Sequence, residues 1–229
     1  MTTVLYITNK GSEIPLRYSL RTLHNIEHHN VVVSGYLPSY VQNVKHVPGE
    51  DDTALRDINI QRKLLAGLKC PSTKNEVVLM CDDIYLMAPY KDKRARYRGL
   101  LRDRVNGLKS RPRNDQFRRT MEVTLDCLEA MGIPEPLDFG CHHPVFMDRK
   151  KAIETVEFSL SRELPVCITT LYQYMHGTEV VQGPQAKGLI WNGKPRTPVY
   201  STSAHIEKNY GFREFFVTQM PVGKYEKSA

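Results

Sequence analysis

The sequence predicts a single α/β domain in which helices flank a mostly parallel central sheet. Three observations predict this fold class. Apolar, strand-like runs alternate with amphipathic helical stretches. The length of 229 residues suits one domain. Hydrophobic residues (41%) and charged residues (25%) stand near their usual shares in globular proteins, which excludes a disordered or fibrous chain.

The N-terminal residues predict a strand, a helix and a second strand. Thr3–Thr8 is an apolar, β-branched run typical of a strand buried on both faces. Ser12 and the early Pro15 mark the start of a helix that we expect to end near His28. Asn30–Tyr36 predicts the next strand. This succession is typical of a parallel sheet.

A further helix and two further strands follow. Val44–Val47 predicts a short strand, and the apolar spacing from Asp52 to about Leu68 predicts a helix. Glu76–Cys81 is the clearest strand of the sequence, and it ends at Asp82 and Asp83. Ligands of open α/β sheets bind beyond the C-terminal ends of strands, so this acidic pair is a candidate site.

The second half of the chain predicts two more helices. Asn114 or Asp115 caps the first, which Gly132 ends, and Asp148 caps the second. From Gly183 onward the chain is rich in glycine, proline and aromatic residues. The pattern there assigns only short elements, around Trp191, Tyr200 and Phe215–Val217.

The positive charge is concentrated in residues 91–119. The net charge is +7, but this segment alone holds twelve Lys or Arg and three Asp, a local balance of +9. Such a strip can neutralise nucleic-acid phosphates, and its candidate contacts are Arg94, Arg96, Arg98, Arg102, Arg104, Arg111 and Arg113. One alternative is a solvated charged face. Another is that one or two arginines hold a diphosphate or an anionic acceptor.

The acidic pair and three histidines carry the candidate chemistry. A divalent cation held by Asp82 and Asp83 could neutralise a departing diphosphate. The alternative is that both are loop or cap residues. His142, His176 and His205 are candidates for a metal ligand, a phosphate contact or a base, or are hydrogen-bonded loop residues. None has the spacing of a preformed zinc site.

Several function classes lack their motifs in this sequence. The GxSxG, Walker A and GxGxxG patterns are absent, so serine hydrolases, P-loop enzymes and Rossmann dinucleotide enzymes lose their main support. The five cysteines form no CxxC pair, and we expect reduced, mostly buried thiols. No apolar run reaches about 18 residues and no signal pattern begins the chain, so we expect a cytoplasmic protein without a membrane partner.

Several segments together resemble the small GT-A-type glycosyltransferases of bacteriophage genomes, which are distantly similar to Stealth-type sugar-phosphate transferases. The resemblance spans most of the chain. It lies in the segments VLYITNKG, LRYSLRTL, RDINIQRK, VVLMCDDIYLM, FGCHHPVFMDRK, TLYQYMHG, VYSTSAH and MPVGKYEK. It implies a GT-A-like (Rossmann-like) domain over residues 1–229, with 1–90 as the nucleotide-binding half, 91–119 as a basic insertion and 120–229 as the acceptor or C-terminal half.

The resemblance also implies a nucleotide-sugar donor, with UDP-sugars favoured, and Mn²⁺ or Mg²⁺. Asp83 and His205 would bind the metal. The catalytic groups would be Asp82, in contact with the ribose or metal-bound water, and His142, near the donor sugar or the acceptor. Donor contacts would come from Thr8, Asn9, Arg56, Asn59, Lys63 and Lys224. The family's acidic motif is commonly Asp-x-Asp, whereas Cys81 stands at its first position here.

The leading hypothesis is therefore glycosyl transfer from a nucleotide sugar. The +9 segment makes DNA with hydroxymethylated pyrimidines a candidate acceptor, and the location would then be the host cytoplasm. One alternative is a Stealth-like sugar-phosphate transferase that acts on a glycan. The other is a non-catalytic nucleic-acid-binding phage protein.

Overall fold

The structure is a computed structural model that describes residues 1–11, 13–51, 56–109, 115–177, 179–183, 187–188, 197–202, 210–220 and 222–227. Its strands are β1 (Thr2–Thr8), β2 (Asn30–Gly35), β3 (Lys45–Val47), β4 (Glu76–Met80), β5 (Ile84–Leu86), β6 (Ala95–Tyr97), β7 (Val145–Asp148), β8 (Val180–Gln182), β9 (Lys187–Gly188) and β10 (Val199–Thr202). Its helices are α1 (Glu13–Arg21), α2 (Arg56–Lys69), α3 (Leu101–Lys109), α4 (Asp115–Ala130), α5 (Arg149–Leu160), α6 (Ile168–His176) and α7 (Tyr210–Thr218). A 3₁₀ turn, Thr22–Asn25, continues α1. Among these helices none combines the length and the apolarity needed to cross a membrane.

A five-stranded sheet forms the centre of the fold, in the order β3-β2-β1-β4-β7. β1 pairs in parallel with β2 and β4, and β2 pairs in parallel with β3. The edge strand β7 runs antiparallel to β4, with Val145 opposite Leu79, so β7 begins where β4 ends. The predicted α/β fold with a mostly parallel sheet and flanking helices is confirmed.

Side-chain alternation along β1 divides the core into two layers. Val4 and Tyr6 belong to the layer beneath α1, whereas Leu5 belongs to the layer covered by α2, α4, α5 and α6. All three side chains are fully buried. Successive side chains of a strand point to opposite faces, so a strand in the middle of the sheet must be apolar on both. This explains the continuous apolar run that predicted β1.

The first helix ends earlier than the sequence predicts. The helix expected to reach His28 ends at Arg21 and tightens into the 3₁₀ turn, after which Ile26 is extended with φ −131°. The tighter turn aims the side chains of Thr22 and Asn25 at β5, where both bind backbone groups. These contacts compensate for the lost helical hydrogen bonds.

The other predicted elements appear with small shifts in their ends. The short third strand begins at Lys45, and Asp148 caps α5 by accepting a hydrogen bond from the backbone N–H of Lys151 at 3.0 Å. The elements expected around Tyr200 and Phe215–Val217 are β10 and α7. The predictions that rest on Ser12, Asn114 and Trp191 lie outside the described residues.

The basic segment, residues 91–119, contains regular structure rather than one loop. It includes β6, α3 and the start of α4, and β6 pairs in parallel with β8. Leu101, Val105 and Leu108 of α3 are buried in the same core layer as α4. These three residues recur at helical spacing, which is the signal that could have predicted α3 among so many charges.

The cysteines are free thiols, but they are less buried than expected. Cys81 is exposed, and Cys70, Cys127, Cys141 and Cys167 are half-buried. Cys81 is exposed because it opens the turn between β4 and β5, where the backbone leaves the sheet.

The C-terminal residues 222–227, here called the C-terminal strap, cover the layer that carries α1. The backbone N–H of Gln42 donates to the carbonyl of Tyr225 at 2.9 Å. Arg21 donates two hydrogen bonds to the Glu226 carboxylate, at 2.6 and 3.0 Å. The strap therefore joins the end of α1 to the loop that follows β2.

Gly35, the last residue of β2, has no room for a side chain. Its φ is +117°, and a Cβ there would lie 2.2 Å from the backbone oxygen of Thr8. We expect Gly35→Ala to lower the free energy of unfolding by about 3 kcal/mol, because backbone strain and a clash with rigid backbone add together. Gly132→Ala, at φ +84° with no atom within 4 Å of the added Cβ, is the control and should cost about 1–2 kcal/mol. If urea unfolding shows the same loss of unfolding free energy for both variants, the clash of a Cβ at position 35 with Thr8 is contradicted.

Candidate active site

The acidic pair lies in the turn that links the central strand β4 to β5. Asp83 is mostly buried, with 21% of its side chain exposed. Its Oδ2 lies 3.5 Å from Nδ1 of His142 and accepts a hydrogen bond from Oγ of Ser201 at 3.3 Å. Asp82, also half-buried, lies close enough to Tyr6 of β1 for its charge to act on that phenol. The turn is therefore embedded among polar groups at the C-terminal edge of the sheet.

His142 reaches Asp83 because the edge strand is reversed. The segment 141–144 leads into β7, and β7 starts opposite the last residues of β4. A loop that enters an antiparallel neighbour meets the loop that leaves the first strand. The structure therefore brings together His142 and Asp83, which the sequence nominated separately as a catalytic group and a metal ligand.

Ser201 is a polar contact of Asp83 that the sequence did not single out. β10 pairs antiparallel with β5, and Ser201 stands opposite Ile84, the residue after Asp83. The Ser201 side chain is fully buried. A serine that follows an apolar pair in a short strand carries no signal of its own, so only the pairing of β10 with β5 could reveal it.

Lys63, nominated as a donor contact, is buried and bound to groups of the protein. Its side chain is 2% exposed, and Nζ donates to the carbonyl of Thr8 at 3.0 Å and to Oδ1 of Asn9 at 2.6 Å. It also forms an ion pair with Asp51. Burial alone would raise the pKa of Asp51, but hydrogen bonds from Lys63 and from the backbone of Lys10 hold it below its usual value. Lys63 ties together the loops that follow β1 and β3.

The other residues nominated to bind the donor from α2 and from the end of β1 are partly exposed and partly buried. Arg56, at the start of α2, is exposed, whereas Asn59 is only 8% exposed. The hydroxyl of Thr8 donates to the carbonyl of Tyr36 at 2.5 Å, so this side chain links the end of β1 to the residue after β2. Asn9 and Arg56 therefore remain the accessible side chains of the nominated set in this region.

Lys224, nominated as a donor contact, lies at the opposite end of the sheet from the acidic turn. Its carbonyl accepts a hydrogen bond from Asn43, which precedes β3. Burial lowers the pKa of His28, and the charge of Lys224 lowers it further. His28 precedes β2, so Lys224 stands near the N-terminal ends of the strands, whereas Asp83 follows the C-terminal end of β4.

Four of the seven nominated arginines are paired with carboxylates. The pairs are Arg94–Asp92 (2.9 Å), Arg96–Asp92 (2.6 Å), Arg102–Glu129 and Arg104–Asp138 (4.0 Å). Hydrogen bonds from Arg94 lower the pKa of Asp92 to about 2. Arg98 is half-buried, and Arg111 and Arg113 lie outside the described residues. The pairing favours the interpretation of a charged surface for these four side chains.

The other histidine candidates do not join the acidic pair among the described residues. Nε2 of His176 lies 3.1 Å from the hydroxyl of Thr155, and its ring lies against Tyr172. His176 is thus a hydrogen-bonded histidine of α6, as its alternative interpretation states. His205, nominated as a metal ligand, lies outside the described residues.

No preformed metal cage exists in the described part of the chain. There, no three His, Cys, Asp or Glu side chains come together in a way that could hold a metal ion. The carboxylates of Asp82 and Asp83 offer the hard oxygen ligands that Mg²⁺ and Mn²⁺ prefer. A cation at this turn would therefore need further ligands from water or from a phosphorylated ligand.

A cleft of about 840 Å³ lies away from the acidic turn. Its lining includes Glu76 at the start of β4, Asp148 at the end of β7, and Tyr172. It therefore opens at the N-terminal end of β4, whereas Asp82 and Asp83 follow the other end. The candidate active site rests on the side chains at the C-terminal edge and not on this cleft.

Comparisons with known proteins add little to this geometry. No protein-family model matches the chain. No curated protein sequence matches it. A crystal structure of mouse xyloside xylosyltransferase 1 in its apo form is similar at 8% identity with a TM-score of 0.37, covering 99% of this chain and 95% of that one. At that identity and TM-score the likeness establishes neither an activity nor a substrate.

Proposed function

We propose that the C-terminal edge of the central sheet binds a nucleoside diphosphate sugar with a divalent cation, and that the protein transfers the sugar to an acceptor hydroxyl. The observation that carries the proposal is the contact among Asp83, His142 and Ser201 directly after the central strand β4. This edge is where open α/β sheets bind ligands. Polar groups from three distant parts of the chain meet there.

The residues present fit a cation of the Mg²⁺ or Mn²⁺ type. Oδ2 of Asp83 is engaged by His142 and Ser201, and among the described residues Oδ1 has no hydrogen bond. One or two carboxylates suffice for such cations, because substrate phosphates and water complete the shell. When bound, the cation would neutralise the charge that develops on the departing diphosphate.

His142 is the proposed base. Its Nδ1 lies 3.5 Å from Oδ2 of Asp83 and makes no hydrogen bond to the described residues, so the proposal requires the two groups to draw together when ligands bind; the carboxylate would then hold a proton on Nδ1 and orient the ring. Nε2 would then accept the proton of the acceptor hydroxyl. Ser201 donates to the same carboxylate oxygen and keeps Asp83 in place while the imidazole changes its charge.

The proposed acceptor is a hydroxyl group that lies near His142. A DNA acceptor is supported by the +9 balance of residues 91–119, but four of its arginines are already paired. DNA binding that weakens steeply with salt would favour a DNA-directed enzyme. A Stealth-like transferase acting on a glycan would use the same donor edge without that salt-dependent binding.

Thermal unfolding with a panel of nucleotides tests the donor site. UDP, GDP and CDP and their sugars are compared with and without Mn²⁺, beginning with the uridine series. At a ligand concentration about 100 times Kd, stabilisation of about 2.7 kcal/mol should raise Tm by about 5–10 °C. Asp83→Asn should abolish the metal-dependent part of this shift. Asp126→Asn, which changes an exposed carboxylate of α4, should retain it.

Two outcomes would count against the proposal. If no nucleotide shifts Tm with any metal, the donor site is absent and a non-catalytic nucleic-acid-binding protein becomes the better interpretation. If a nucleotide binds equally well to the wild type and to Asp83→Asn, the donor site lies elsewhere on the molecule.

A further inference from the structure

α1 and the 3₁₀ turn present a row of polar side chains to β5. The row consists of Ser19, Thr22 and Asn25, which are spaced three residues apart. Side chains three residues apart align along a 3₁₀ helix, whereas on an α-helix of 3.6 residues per turn the row drifts sideways. Ser19 and Thr22 are fully buried, although each carries a hydroxyl group. Their burial requires hydrogen-bond partners.

Each member of the row binds a backbone group of β5. Ser19 Oγ donates to the carbonyl of Ile84 at 2.6 Å. Thr22 Oγ1 accepts from the N–H of Leu86 at 3.0 Å, and Asn25 Nδ2 donates to the carbonyl of Leu86 at 2.7 Å. β10 pairs with the other edge of β5. The side chains of α1 and its 3₁₀ turn therefore take the place of a neighbouring strand.

Tyr6 connects this row to the central sheet. Its hydroxyl lies 2.7 Å from Ser19 Oγ in a fully buried setting. Because Ser19 uses its proton for the Ile84 carbonyl, Tyr6 must donate to Ser19. Burial raises the pKa of Tyr6, so the phenol keeps the proton that it donates. A chain of hydrogen bonds thus runs from β1 through Ser19 to Ile84, the residue after Asp83.

The turn that carries the acidic pair is short. The N–H of Ile84 donates to the carbonyl of Cys81 at 3.2 Å, which closes the turn around Asp82 and Asp83. Ile84 is therefore fixed at its N–H by the turn and at its carbonyl by Ser19. A shift of β5 along α1 would move both carboxylates relative to His142.

From these contacts we infer that Ser19, Thr22 and Asn25 are positioning residues for the acidic pair: by holding β5 they set where Asp82 and Asp83 meet the donor. This role rests on the proposed function, but the restraint on the turn does not. A misplacement of about 1 Å at a reacting centre can cost about a hundredfold in rate. The buried hydroxyls of Ser19 and Thr22 can therefore affect binding and catalysis by fixing the position of the turn, without touching a ligand.

Thr22→Val tests the inference, and Thr124→Val is its matched control. Both threonines are fully buried; each donates to a carbonyl of its own helical segment and accepts a backbone N–H from another segment. Valine keeps the shape and removes the hydroxyl. In hydrogen-exchange mass spectrometry, Thr22→Val should speed exchange in residues 81–87 at least about tenfold, while Thr124→Val should leave that segment unchanged.

Binding supplies the second readout. Thr22→Val should weaken Mn²⁺-dependent nucleotide binding by about tenfold or more, Thr124→Val should not, and Thr22→Ser should restore it. Unchanged exchange in residues 81–87 overturns the inference whatever the binding result. The inference is also overturned if Thr22→Val exchanges faster in residues 81–87 but binds the nucleotide as tightly as Thr124→Val does. The turn would then be looser with no effect on the site. If the wild type binds no nucleotide, the proposed function fails, and the exchange result alone decides whether the row holds the turn.

Discussion

Lys63→Met should lower the free energy of unfolding by about 3 kcal/mol. Methionine fills nearly the same volume, but the buried ammonium group is lost. The carboxylate of Asp51, the carbonyl of Thr8 and the side-chain oxygen of Asn9 would then lose their shared donor. Removing one partner of a buried pair costs about 3–5 kcal/mol, and the partial exposure of Asp51 places this case at the lower end.

The same helix provides the control for Lys63. Lys69, in the last turn of α2, pairs with Glu157, and both side chains are about half exposed. Lys69→Met should therefore change stability by less than about 1 kcal/mol. Urea unfolding of both variants measures the difference. Similar unfolding midpoints would mean that the loops after β1 and β3 hold their positions without the buried ammonium.

Arg21→Met should destabilise the protein by about 3–5 kcal/mol and release the C-terminal strap. Besides its two bonds to Glu226, Arg21 donates to the carbonyls of Phe216 and Met220, at 2.9 and 3.2 Å. The Arg21 and Glu226 side chains are 8% and 5% exposed. The variant would leave Glu226 with Arg17, whose Nε lies 3.8 Å away, as its remaining ion-pair partner among the described residues.

Arg17→Met is the matched control for this second variant. Arg17 is 43% exposed and contacts the same carboxylate, so its loss should cost less than about 1 kcal/mol. Urea unfolding gives the two free energies, and limited proteolysis reports whether residues 222–227 become accessible. If Arg21→Met resists urea and protease as well as Arg17→Met does, the strap is held by its other contacts, such as those of Gln42 and Asn43, and not by the Arg21–Glu226 pair.

The sequence predicts the central sheet because its strands are continuous apolar runs. A strand covered on both faces must be apolar throughout. This pattern predicts the strands in Thr3–Thr8, Asn30–Tyr36 and Glu76–Cys81. β5 and β6 have three residues each, and a stretch of three carries no periodicity. Their positions depend on partners far along the chain.

The candidate site is predictable only in part, for a similar reason. The sequence predicts Asp82, Asp83 and His142 as candidates because their side chains can bind a metal or transfer a proton and because they stand next to predicted strands or helices. Ser201 lies 118 positions from Asp83, so no local pattern links the two. The burial of Lys63 could not be predicted, because a lysine on a helix is nearly always exposed and only the tertiary fold shows the acceptors that bury it.

Because β7 runs antiparallel to β4, the distance between Asp83 and His142 depends on how these two strands are aligned. Val145 stands opposite Leu79, and each residue of a strand advances the chain by about 3.3 Å. A slip of one position would carry His142 out of reach of the carboxylate and turn the side chains of β7 to the wrong face. The chain between β5 and the loop before β7 does not itself set this separation, which depends on the alignment of β7 with β4.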